Sequence, residues 1–227
     1  MEVDVAPGLP SFTTVGLPDS AVHESRDRVR AAIRNASLEF PMDRITVNLA
    51  PAEVRKVGTA FDLPMALGIL IATETLKPER LEHVAVLGEL SLDGRIQPVR
   101  GVLPIALHCR RRGVHRLLVP AGNAEEAAVV GGITVIPLDT LYHALEYLNG
   151  EREIAAYRPG ALRRPADADS RWRPPGASFA NPRRCEAAVL TDRLAGAPPR
   201  RFGWRFSAGL RRAEHRSESS AAGSHRA

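Results

Sequence analysis

The sequence predicts an α+β fold over residues 1–152, with a mixed sheet and packed helices, followed by a disordered tail over residues 153–227. Three observations predict it. Short apolar segments of strand period and of helix period alternate with turn signals through the first 150 residues. One stretch of helix length, residues 62–75, is apolar almost all round and so belongs in the interior. Near Tyr157 the composition breaks, and the periodicity stops.

Glu2–Val5 and Ser11–Val15 alternate like strands around a Pro-Gly-Leu-Pro turn, which reads as a hairpin. Leu17-Pro18-Asp19-Ser20 starts a helix, with Asp19 or Ser20 as N-cap. Its apolar stripe is Val22, Val29, Ile33 and Ala36. Glu24, Arg26, Asp27, Arg28, Arg30 and Arg34 form the opposite, charged face, with Glu24–Arg28 and Asp27–Arg30 at pairing distance along the helix. Arg44–Leu49 alternates like a half-buried strand, and a polar loop follows to Ala60.

Asp62-Leu63-Pro64 opens the apolar helix, since a proline in the first turn forfeits no hydrogen bond. Val84–Leu90 and Arg95–Val99 flank Asp93-Gly94, a strong hairpin signal. Val102–Arg112 reads as a helix ending at Gly113, and Arg116–Val119 as a buried strand. Asn123–Val130 is a helix capped by Asn123, Ile133–Ile136 a strand, and Asp139–Leu148 a helix stopped by Asn149-Gly150.

The net charge of +5 is divided unevenly. Residues 1–158 carry 17 Lys/Arg against 20 Asp/Glu, and residues 159–227 carry 14 Arg against 6 Asp/Glu. The basic character therefore belongs to the tail. That tail holds seven prolines and six glycines without period, and cannot bury enough apolar surface to offset its ordering entropy. The tail is expected to be a random basic segment; Trp172 and Trp204, set among arginines, leave a tail-driven binder of single-stranded nucleic acid as the alternative. No run reaches the ~18–20 apolar residues of a membrane span, and no signal-peptide pattern opens the chain, so a cytoplasmic location is expected. Two cysteines, Cys109 and Cys185, argue against a disulfide scaffold, and no metal site is expected.

A phosphate-binding loop of the GxxxxGK[ST] kind needs a lysine after a glycine-rich turn. The only lysines, Lys56 and Lys77, follow Arg55 and Leu76. His23-Glu24 is not followed by a histidine at zinc-protease spacing.

Two linked segments, Thr59–Gly68 and Leu87–Val102, resemble the Lon protease domain in order and spacing. The resemblance is closer to one relative. PGLPSF, VGLPDSAVHESRDRVRAAI, ITVNLAPAEVRK, FDLPMALGIL, GELSLDGRIQPVRGVLP and LVPAGNAEEAA are similar to the N-terminal, ChlI-type domain of the ComM/YifB family, magnesium-chelatase-like AAA+ proteins. The likeness runs from about residue 2 to residue 152. It implies the Lon-protease-domain fold, shared with the second domain of a small-subunit ribosomal protein, and a first strand missing before Met1. It also implies that complete members form homo-oligomeric rings, use ATP and Mg, and act on DNA in natural transformation. The ATPase module such members carry next is here replaced by the tail, which is expected to be read out of frame.

The resemblance places the nucleophile of a Lon-type Ser/Lys pair at Met65 and its base at Leu103. Neither side chain transfers a proton. No catalytic residue and no cofactor are expected in this chain. Arg55 and Lys56, beside the start of the apolar helix, are candidates for holding a phosphate or a neighbouring subunit's carboxylate. Arg26 and Arg30 are the second basic pair. The expected role is binding and assembly, with DNA as a candidate partner and no membrane partner. A Lon-like peptidase and a metal-inserting chelatase subunit stand as alternatives.

Overall fold

The computed structural model describes residues 1–159 except Ala52, Val54, Pro78 and Glu79, together with the backbone of three short C-terminal strands. The elements run β1 (Glu2–Ala6), β2 (Ser11–Val15), α1 (Ser20–Asn35), β3 (Arg44–Asn48), α2 (Asp62–Ala72), β4 (Val84–Val86), β5 (Glu89–Leu90) and β6 (Ile96–Gln97). Then follow α3 (Val102–Arg111), β7 (Arg116–Pro120), α4 (Ala124–Ala128), β8 (Thr134–Leu138) and α5 (Leu141–Leu148). The C-terminal strands are β9 (Ala188–Leu190), β10 (Arg201–Gly203) and β11 (Arg205–Phe206). The expectation of a disordered tail otherwise falls outside the described residues, as do Trp172 and Trp204.

The fold is α+β with mixed sheets, as expected. One sheet has the order β10-β1-β3-β2, another β11-β9-β4-β7-β8, and β5 and β6 form a small hairpin. β1 and β2 are not a hairpin. Both pair with β3, β1 antiparallel and β2 parallel. The reason is that α1 follows β2 and returns the chain to lay β3 alongside it, the long connection a parallel pair requires. Alternation marks a strand but does not name its neighbour.

Both sheets turn one face into a common core. Val3, Val5, Ile45 and Val47 come from the first sheet; Val84, Val86, Leu118, Ile136 and Leu138 come from the second. Between them lie Leu63, Met65, Ala66, Leu67, Ile69 and Leu70 of α2. This explains a helix with no polar side: every direction it faces is interior. The other face of the second sheet, with Leu117, Val119 and Val135, packs on α3 and α4 around Val102, Ala106, Cys109 and Ala127.

Local chemistry sets the ends. Asp19 caps α1 by accepting from the Val22 amide at 2.8 Å. Thr140 caps α5 through the His143 amide at 3.1 Å, so that helix starts later than Asp139. The Asp93-Gly94 turn is a three-residue loop rather than a two-residue one: Ser91 N–H donates to Arg95 O at 3.0 Å and Gly94 N–H to Ser91 O at 3.0 Å. Gly94 takes the left-handed position (φ +83°) that this loop demands. Asn123 does not cap α4. Its amide accepts from Val99 N–H and donates to Val99 O, both at 2.9 Å, tying the loop before α3 to the turn after β7.

Candidate functional site

The start of α2 is where the resemblance places old chemistry. Phe61 precedes the helix without a side-chain cap. Its first amides are nonetheless bonded: Asp62 N–H to Thr59 O at 3.2 Å, Leu63 N–H to Gly88 O at 3.0 Å and Met65 N–H to Phe61 O at 2.9 Å. Pro64 has no N–H. This helix end therefore holds its own neighbours where an anion would have sat.

Asp62 is wholly buried. Its carboxylate accepts from Arg28 Nε at 2.6 Å, Arg28 Nη2 at 3.1 Å, the Leu90 amide at 3.2 Å and the Ser25 hydroxyl. Three elements, α1, α2 and β5, thus meet on one charge. Burial pushes the Asp62 carboxyl above the usual carboxylate range, against the pull of Arg28 and Ser25. The same hydrogen bond holds the Arg28 guanidinium above its ordinary value. Beside this cluster, the Thr59 hydroxyl donates to Glu89.

Arg28, expected on the charged outer face of α1, points inward, with 18% of its side chain exposed. Its contact with Glu24 is looser, at 3.7 Å. The sequence carried a signal for the cluster: Ser25 falls on the stripe between Val22 and Val29, and a carboxylate inside an apolar helix needs a cation.

Lys56 and Arg55 part company. Arg55 is exposed. Lys56 is 1% exposed, and its ammonium donates to the Pro51 carbonyl. The cause is a strand-like pairing of the loop with the segment before α1: Lys56 N–H donates to Leu17 O at 3.1 Å and Asp19 N–H to Lys56 O at 3.0 Å. Period-two alternation then sends Lys56 inward and leaves Val57 outside. A solvent-facing phosphate ligand at Lys56 does not result.

Arg26 and Arg30 do come together. They line an open cleft of about 300 Å³ with Pro10, Phe12, Phe40 and Met42. Arg26 pairs with Asp27 at 3.1 Å, which withdraws Asp27 from the expected pairing with Arg30. The Arg30 guanidinium lies over the Phe40 ring, 5.8 Å from its centre.

Met65 is wholly buried in the common core, whereas Leu103 packs against the separate core beyond the second sheet. The Leu103 amide donates to Glu126 at 2.9 Å. Ser91 donates to Asp93 at 2.6 Å. Among the described residues no group of three or more His, Cys, Asp or Glu could hold a metal, and no helix is long and apolar enough to cross a membrane.

The family described as subunit ChlI of Mg-chelatase matches residues 1–123. An uncharacterised protein of Mycobacterium tuberculosis is 46% identical over 155 residues, 68% of this chain and 31% of that protein. Competence protein ComM of Haemophilus influenzae is 40% identical over 154 residues, 68% of this chain and 30% of its own length. More remotely, a Lon protease of Roseiflexus castenholzii is 29% identical over 136 residues, 56% of this chain and 16% of its own. The chain thus spans about a third of the length of these curated ComM-like relatives. With more than half of its length matched to the chelatase-subunit family and ComM similar along the same N-terminal region, the chain belongs to the ComM/YifB family of Mg-chelatase-like proteins.

Proposed function

We propose that this chain is the non-catalytic N-terminal domain of a ComM/YifB-type Mg-chelatase-like ATPase, used for binding and assembly in DNA processing during natural transformation. The observation that carries the reading is the fate of the Ser/Lys positions. Met65 is sealed in the common core, and Leu103 lies on the far side of the second sheet. The nearby groups that could have substituted are engaged: Ser25 on Asp62, Ser91 on Asp93, Lys56 on the Pro51 carbonyl. ComM is named for competence, which supports the link to transformation.

ATP and Mg of complete members are assigned to the remaining length of those relatives. Neither lysine here follows a glycine-rich turn. Lys56 is interior, and Lys77 follows the end of α2, where cations meet carbonyls and not amides. No ATP-dependent step is assigned to this chain. The match to the chelatase subunit supports a second reading, a metal-inserting subunit working with partners.

The test is a fluorophosphonate probe and a casein assay on the purified chain, alongside transformation by a full-length relative lacking this domain. No labelling and no hydrolysis are expected, with transformation reduced in the deletion. Labelling abolished by Ser25→Ala or Ser91→Ala would restore the peptidase reading. Transformation unaffected by the deletion would sever the domain from DNA processing.

A further inference from the structure

Two histidines far apart in sequence, His83 and His115, come side by side at one end of the second sheet. β4 and β7 are parallel, with Val84 opposite Arg116, Ala85 opposite Leu117 and Val86 opposite Leu118. One step back along both strands, the same register sets His83 beside His115. Neighbouring strands lie about 4.8 Å apart, so residues so matched can meet through their side chains. These two do: their ring centres are 5.0 Å apart, with the planes at 79°. Both residues are exposed.

The backbone holds the pair in place. His83 is left-handed, with φ +52°, a conformation that a residue other than glycine keeps only where its surroundings fix it. Here β7 fixes it: the His83 carbonyl accepts from the His115 N–H at 2.9 Å and from the Arg116 N–H at 3.2 Å. On its other side, His115 O accepts from the Thr134 N–H at 2.9 Å. Each imidazole therefore hangs from an anchored main chain. Among the described residues neither ring has a hydrogen-bond or ion-pair partner, which leaves the ring nitrogens available to a ligand from solution.

The spacing suits one kind of ligand. Two imidazoles that share an ion through nitrogens at about 2.1 Å, with the bonds near the tetrahedral angle, put their ring centres about 5 Å apart. We propose that His83 and His115 form a two-imidazole site for a divalent transition-metal ion such as Ni²⁺, Cu²⁺ or Zn²⁺, with water filling the other positions. Imidazole suits these ions, whereas Mg²⁺ takes oxygen ligands. Two protein ligands are fewer than the three or four of a catalytic or structural centre, in keeping with the lack of any three-ligand group among the described residues. The ion is thus held reversibly and stays open to a further ligand from outside. Binding ties the start of β4 to the start of β7, and so favours the folded chain over the unfolded one. No spacing motif marks the pair, because only the register of the sheet makes its members neighbours. The proposal does not rest on the proposed function, since a working peptidase could carry the same pair.

The test is titration calorimetry on the untagged full chain carrying Cys185→Ser, with Ni²⁺ as the probe and Mg²⁺ as the control. One Ni²⁺ per chain is expected, and no binding of Mg²⁺. His83→Gln and His115→Gln should each weaken Ni²⁺ binding roughly tenfold or more, since each leaves one imidazole without the effective concentration of its neighbour. His23→Gln, on the exposed side of α1, should leave it unchanged. Melting curves confirm that each variant is folded, and Ni²⁺ should raise the Tm of the parent chain more than that of either pair variant. A parent chain that binds Ni²⁺ more weakly than about 1 mM overturns the proposal. So does a double variant, His83→Gln with His115→Gln, that binds as the parent does, because the ion would then sit elsewhere. A loss confined to one of the two single variants would reveal a lone-histidine contact and equally overturn it.

Discussion

Asp62→Ala and Arg28→Met dissect the buried charge cluster. Asp62→Ala strands the Leu90 amide, which is buried, and that costs about 1–3 kcal/mol. Ser25 keeps the Ala21 carbonyl at 3.3 Å, and Arg28 Nη2 keeps the same carbonyl at 2.9 Å. Because Arg28 also reaches water, the loss falls at the low end of the range for breaking a buried pair, about 3 kcal/mol. Arg28→Met is worse, about 4–5 kcal/mol, since the carboxylate it leaves has no exposure at all. The double variant should cost less than the sum by about 2–3 kcal/mol. Urea denaturation followed by circular dichroism measures each value, and Asp62→Ala should lower Tm by about 6–12 °C. The pH dependence adds a signature. A carboxyl whose pKa is raised in the fold binds its proton more tightly there than in the unfolded chain. It stabilises most below the unfolded value, and that contribution is lost as pH rises through the folded one. Without Arg28 to pull the carboxyl back, Arg28→Met should gain stability relative to wild type as pH falls from about 7 to about 5. Single losses below about 1 kcal/mol, or strict additivity, would refute the idea that these groups act as one unit.

Lys56→Ala should cost about 2–4 kcal/mol because it empties a large interior site, whereas Arg55→Ala should fall within about 0.5 kcal/mol; equal and small effects in urea melts would return Lys56 to the surface. Gly16→Ala should cost about 3 kcal/mol or more, since φ is +101° and a Cβ would meet Leu49 O at 2.3 Å, and a Tm unchanged from wild type would contradict that backbone geometry. Asn123→Ala, which strands both main-chain groups of Val99, should cost about 1–3 kcal/mol by the same measurement. Burial pushes the Cys109 thiol up to about 12, so in a Cys185→Ser background a thiol reagent at pH 8 should label nothing until urea unfolds the chain; prompt labelling of the native protein would show the site to be open.

Much of the fold was legible because its signals are local. The alternation of Arg-Ile-Thr-Val-Asn, the all-apolar run from Leu63 to Ala72 and the Asp93-Gly94 turn each follow from nearest neighbours in sequence. Partners are different. Nothing in Glu2–Val5 or Ser11–Val15 distinguishes a hairpin from two strands flanking a third, because that choice is made by where α1 packs. Asn123 fits a cap and a bridge equally well by residue type; the proximity of Val99, 24 positions away, decides. The site was least legible. Lys56 sits in a polar stretch and reads as surface, yet pairing of its backbone with Leu17 and Asp19 turns it in. Arg28 reads as one more charge among six on a solvated face, and only the arrival of Asp62 from another helix draws it inside. Met65 and Leu103 were placed by resemblance, and the two cores that hold them apart could not be read from either segment alone.

The helix from Asp62 to Ala72 has one more consequence. A segment greasy on all sides has no stable existence as a fragment, in solution or in half of the molecule. Cleavage in the linker near Lys77 would leave the first half with an oily rod and the second with a naked sheet, and both would precipitate. Neither sheet can therefore be inherited, exchanged or engineered as a separate module: whatever partner this domain meets, it meets as an indivisible body.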